Sequence, residues 1–125
     1  MSDAGIVLQR ALVAALAPVG AVYDGVPPRA AFPYISIGPS IVTDWSHKTG
    51  AGREHRLQIS LWDDSDGHGR LRAMMTAVEA ALAAFAPTLD GHQLVRFDFV
   101  RSFAVRDAAG PDQGVIEYRA LTLAE

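Results

Sequence analysis

Asp44-Trp45-Ser46-His47-Lys48-Thr49-Gly50-Ala51-Gly52-Arg53-Glu54-His55-Arg56-Leu57-Gln58-Ile59-Ser60-Leu61-Trp62 runs from a polar, glycine-bearing loop into the cleanest strand pattern of the chain. From Arg53 to Trp62 the side chains alternate. Leu57, Ile59 and Leu61 point one way, and Arg56, Gln58, Ser60 and Trp62 the other, which is the period of a half-buried strand. Upstream, Pro33 to Asp44 reads as a second strand with Ile35 and Ile37 on one face. Gly38-Pro39 forces a bulge or bend in its middle, because proline has no N–H for the ladder. Two strands joined by this loop make a hairpin with a protruding tip.

Working outward, Asp3 is placed to cap a helix that runs to about Ala17 and is stopped by Pro18. Leu8, Leu12, Ala15 and Leu16 fall on one face at helical spacing. Val19 to Tyr23 fits a short strand before the turn residues Asp24 to Pro28. Beyond the hairpin, Asp63-Asp64-Ser65-Asp66-Gly67 ends the strand, and its acids suit the start of a second helix. That helix spans roughly Gly69 to Phe85, with Leu71, Met74, Met75, Val78, Ala81, Leu82 and Phe85 as its core stripe. Ala80, Ala83 and Ala84 fill its outer face. Helix propensity accounts for them, although a flat uncharged face is also one that a neighbouring subunit could cover. After the Asp90-Gly91 turn, Val95, Phe97, Phe99, Phe103 and Val105 alternate with Arg96, Asp98 and Ser102 and predict a long strand with one apolar face. A second loop, Asp107 to Gly114, leads to a last strand from Val115 to Leu123, with Ile116, Tyr118 and Ala120 inward.

The order of elements predicts an α+β fold: an antiparallel or mixed sheet of four to five strands with two helices packed on one face. A chain of 125 residues, half of them hydrophobic, has the size and apolar content for one domain over residues 1–125 with one core. The net charge of −3 gives no global basic field for nucleic acid. There are no cysteines, which removes thiolate chemistry and Cys-ligated zinc. No apolar run is long enough to span a bilayer. Met1-Ser2-Asp3 leads straight into the first helix pattern without a basic leader, so manufacture and use in the cytoplasm are expected.

A search for chemistry returns little. His47, His55, His68 and His92 are scattered, none at ligand spacing with another, and they read as surface histidines. Asp64, Asp66 and Gly67 resemble the start of a calcium loop, but Ala73 then stands where the bidentate Glu must be. Gly50-Ala51-Gly52-Arg53 precedes a strand, so no helix N-terminus is offered to a phosphate. Arg53, His55 and Arg56 could touch phosphate, but one short cluster in an acidic chain reads as a solvated strand face. No nucleophile elbow is present. No catalytic residue, cofactor site or metal site is therefore expected. Trp62 reads as core rim. Trp45 sits in a polar loop where a core role is harder to justify, and an interface anchor is the better expectation. With His47, Lys48, Arg53 and Arg56 it forms the first candidate contact surface. Asp107 and Asp112 on the second loop form the other.

Several segments resemble a known family. They are Tyr23-Asp24-Gly25-Val26-Pro27, Phe32-Pro33-Tyr34-Ile35-Ser36-Ile37-Gly38, Asp44-Trp45-Ser46, Lys48-Thr49-Gly50, Gly52-Arg53-Glu54-His55 and Leu89-Asp90-Gly91-His92. Together they are similar to small tail-completion proteins encoded among the structural genes of long-tailed phages, prophages and gene transfer agents, and most to the gene transfer agent members. The resemblance covers most of the chain. It implies a tail terminator with a fold like that of the lambda tail terminator: a small α+β subunit that forms a homohexameric ring. Such a ring caps the tail-tube protein, ends its polymerisation and joins it to the head-side connector, with DNA passing through its lumen. The family has no catalytic motif to carry over and binds neither membrane nor specific DNA sequence. A head-tail stopper is a second reading, which the two helices disfavour. A small ligand-binding or enzymatic module is a third.

Overall fold

Asp3 caps the first helix as its position suggests: its Oδ1 accepts from the N–H groups of Gly5 at 2.8 Å and Ile6 at 3.2 Å. In the computed structural model that helix, α1, spans Ala4–Leu16. The structure describes residues 3–125 apart from Val26, Pro28, Thr49, Asp66, His68 and Asp107. The interface candidate Asp107 therefore lies outside the described residues, as do Asp66 and His68 of the acidic turn. The other elements are β1 (Val22–Asp24), β2 (Tyr34–Ile37), β3 (Ile41–Asp44), β4 (Gly52–Asp63), α2 (Gly69–Leu82), β5 (His92–Val105) and β6 (Asp112–Ala124).

The six strands form one mixed sheet in the order β1-β2-β4-β6-β5, with β3 paired to β4 beside β2. Only β1 and β2 run parallel. The count exceeds the expected four to five because Gly38-Pro39 does more than bend one strand. It divides the segment into β2, which pairs with residues 59–62 of β4, and β3, which pairs with residues 53–56. The first short strand begins at Val22 instead of Val19, and Asp112 belongs to β6, not to the loop before it.

The core lies between one sheet face and the two helices. Leu8, Leu12 and Leu16 from α1 meet Leu71, Met75, Val78 and Leu82 from α2. Both sets pack on Leu57, Ile59 and Leu61 of β4 and on Ile116, Tyr118 and Ala120 of β6. Each fully buried leucine contributes roughly 1.5–3 kcal/mol. Gly114 sits directly under α2, where a Cβ would come within 2.7 Å of the Met75 sulfur. Burial also pushes the Tyr118 phenol up to about 12, aided by the nearby Glu79 carboxylate.

The second face has no described helix on it, and polar ladders cover it. Trp62 Nε1 donates to Ser36 Oγ at 3.0 Å, and Gln113 donates to Ser60 Oγ at 3.1 Å. The Trp62 ring lies against Tyr34 on this face, so it is not at the expected rim of the core between sheet and helices, because its parity is opposite to that of Leu61. Further along, Glu54 accepts from Arg119 at 2.7 Å and from Arg56 at 3.4 Å.

Strand β5 departs from expectation. Register shifts between Leu94 and Arg96 and between Phe99 and Arg101 break its alternation. Phe97 and Phe99 therefore lie on the helix side against Tyr118, whereas Phe103 pairs with Val115 beside Arg101 on the open side. The single apolar face read from sequence is split between both sides, because each extra residue flips every side chain after it.

Candidate assembly interface

The hairpin arm is built from β3, β4 and the segment between them. Its ladder continues beyond β3: the Trp45 N–H donates to Gly52 O at 2.9 Å, and His47 and Gly50 exchange backbone bonds at 2.8 and 3.3 Å. The expected open loop is thus a zipped arm, held by side chains as well. Ser46 Oγ donates to Asp44 Oδ1 at 2.6 Å and accepts from the Gly52 N–H at 3.2 Å. Arg53 Nη1 donates to the same Asp44 oxygen at 3.1 Å and to Gly52 O at 2.8 Å. The Ser46 hydroxyl, with Arg53 behind it, holds the Asp44 carboxyl below its ordinary range.

The sequence candidates fall into separate places. Trp45 is half-buried and meets His47 edge to face at 4.5 Å between centroids. His47 and Lys48 are exposed at the end of the arm. Arg53 and Arg56 are both about half exposed. They project to opposite faces of β4, since Arg53 has the parity of Leu57 and Arg56 that of Gln58. Asp112 pairs with Asp63 at the far end of the same ladder that begins at Gly52. Eleven register steps, roughly 36 Å of strand, separate it from the base of the tip. One contact surface cannot contain all of these residues.

Two residues read as surface features are buried. His55 is fully enclosed, because its parity puts it beside Leu57 on the helix face. Its Nε2 meets Thr122 Oγ1 at 2.9 Å, and its Nδ1 has no protein partner. Burial pushes its pKa down, opposed by Asp3 and reinforced by His92 and Arg53. Asp63, expected to help start α2, ends β4 with only 2% of its surface exposed. Arg70 Nε reaches both of its oxygens, at 3.0 and 3.1 Å, and Ser65 Oγ donates to it at 2.6 Å. Arg70 and Ser65 hold the carboxyl down at about 2. A cleft of about 490 Å³ opens beside it, lined among others by Asp64, Arg106 and Asp112. Among the described residues no three His, Asp or Glu side chains gather as a metal ion requires. No helix among them is long and apolar enough to cross a membrane.

The features that sequence reasoning missed are the sheet edges. Every residue of β3 is exposed, Ile41 at 65% and Val42 at 46%. At the other end of the sheet Phe99, Val100 and Phe103 are 39–49% exposed along β5. The signal that could have located the second edge is the break in alternation at Phe99-Val100, which marks a bulge, a feature favoured at sheet edges.

The family model described as "Tail completion protein gp17" matches residues 6–123. The chain belongs to this family, and is thereby a structural component of a phage-like tail. It is also similar to a chain from a solved structure titled "Virion of native gene transfer agent (GTA) particle". The two share 35% identity with a TM-score of 0.84, covering 98% of this chain and 100% of the other. A search of curated proteins returned no match.

Proposed function

We propose that this chain is a tail terminator: copies of it form a ring that caps the tail tube, ends its polymerisation and joins it to the head-side connector. The likeness to a chain of a gene transfer agent particle, end to end on both chains, is the observation that carries this reading. A ring-built tube requires a cap of matching cyclic symmetry, and we take that ring to be a homohexamer, as the family resemblance implies. The ring is assembled in the bacterial cytoplasm. The arm supplies its contacts: Trp45, His47, Lys48 and Arg53 meet the neighbouring subunit or the tube, where a desolvated Trp or Arg is the usual anchor. Arg56, on the other face of β4, contacts a separate surface, Asp112 serves the opposite end of the subunit, and Asp107 is a further contact residue. Catalysis has no part in this role.

Electron microscopy of native particles tests the reading. A closed ring of this chain between tube and connector is expected. One or two copies at the junction would rule the ring out.

A further inference from the structure

The two ends of the sheet differ from each other, and both are apolar and unpaired among the described residues. One end is formed by β1 and β3, where Ile41 and Val42 project. The other is β5, where Phe99, Val100 and Phe103 are exposed. Beside β5 lies a cleft of about 220 Å³ between Glu79 and Leu82 of α2, with Ala83 just after it, and the rings of Phe97, Phe99 and Tyr118. We propose that the β3 edge of one copy docks onto the β5 edge of the next, so that subunits join head to tail by unlike ends of the same sheet. This inference rests on the ring reading above and names the surfaces that build it.

Three observations select a second copy as the occupant. First, the pleat matches like to like: Val42 has the parity of His55 on the helix side, as Phe99 does, and Ile41 that of Arg56 on the open side, as Phe103 does. Laid antiparallel with the helix layers on the same side, β3 sets Val42 opposite Phe99 and Ile41 beside Val100. Second, the two edges do not repel by charge, since Asp44 is paired with Arg53 at 3.1 Å, Arg96 with Asp98 at 3.2 Å and Arg101 with Glu117 at 2.9 Å. Third, the surfaces are at opposite ends of one sheet, so their contact is heterologous. Such a contact generates a ring where its rotation closes and a filament where it does not, whereas a two-fold contact would stop at a dimer. The bulges at Val95 and Val100 interrupt the hydrogen-bonding row of β5, which discourages indiscriminate strand addition and leaves side-chain packing as the selective contact.

The absence of cysteine from the chain makes cross-linking direct. Particles are assembled with a subunit carrying both Ile41→Cys and Val100→Cys and treated with a short bis-maleimide. The expected result is a ladder of oligomers ending at the ring size, while each single variant stays monomeric. Dimers from either single variant would overturn the proposal. So would an absence of ladder in particles whose reconstruction shows a ring, and in that case the ring reading survives. Particles without a ring would remove both. If the cysteine pair blocks assembly, a charge exchange decides: Ile41→Asp and Val100→Arg should each abolish tail joining, and together restore it. Failure to restore would overturn the edge-to-edge contact.

Discussion

The carbonyl oxygen of Trp45 occupies the space in which any side chain at residue 52 would begin. A Cβ built on Gly52 would lie 2.3 Å from that oxygen and 3.0 Å from the Trp45 ring. The close approach lets the Trp45 N–H reach Gly52 O and lets Ser46 lock the arm. Neither neighbour can yield cheaply, because one is backbone and the other a half-buried indole.

Gly52→Ala should therefore part the arm at its base. Overpacking of this kind costs on the order of 1–3 kcal/mol. Thermal unfolding should show the loss, and the amides of Trp45 and His47 should lose hydrogen-exchange protection while those of β6 keep theirs. Unchanged protection at Trp45 would mean that the approach is not needed.

Removing the arm's side chains should separate assembly from folding. Trp45→Ala with Arg53→Ala deletes a half-buried ring and one partner of an exposed ion pair, so the subunit should stay soluble with a melting temperature near normal. Hot-spot truncation costs ~2 kcal/mol or more per contact, and the loss is repeated around a ring. Particles should then show unjoined heads or overlong tails. An unfolded double variant would make Trp45 a core residue, and normal particles would make the tip a solvated surface.

His55 predicts a dependence on mild acid. Its folded pKa lies below the ordinary 6.5, with burial as the main cause. The unfolded chain therefore takes up the proton first, and the stability held above pH 6.5 is lost as pH falls below it. Melting temperature should decline from pH 7 to pH 5 in the wild type, and less steeply in His55→Gln. Equal slopes in both proteins would assign the decline to other groups.

Asp63 acts at lower pH and with the opposite charge. Its carboxyl titrates at about 2 in the folded state against an ordinary 3.8. Its contribution is present above pH 3.8 and disappears as pH falls through 2. Asp63→Asn leaves Arg70 with only the longer, exposed contact to Asp64 at 3.5 Å and should cost roughly 1–3 kcal/mol at neutral pH. Its denaturation midpoint should converge with that of the wild type near pH 2. A gap that persists at that pH would point to packing instead of charge.

Much of this architecture follows from local pattern. The cap of α1, the stripes of α1 and α2, the inward residues of β4 and β6, and the break at Gly38-Pro39 are set by period, proline and glycine, which act over a few residues. The buried His55 was also within reach, since strict alternation from Leu57 places it inward; a histidine between two arginines reads as solvated until that parity is followed. What local pattern did not contain was position. That β5 and β3 are edges depends on which strands pair across tens of residues, and only that pairing leaves Ile41, Val42 and Phe99 uncovered. The two shifts in β5 exist only relative to β6. Asp63 pairs with Arg70 because the chain turns back after β4, so a short-range cap signal was overridden by a buried ion pair. The sequence by itself determined the elements and their inward faces, because burying apolar area at a helical or strand period is a local requirement. The tertiary structure alone decided which surfaces remain for assembly, because exposure is what remains after every strand has found its neighbours.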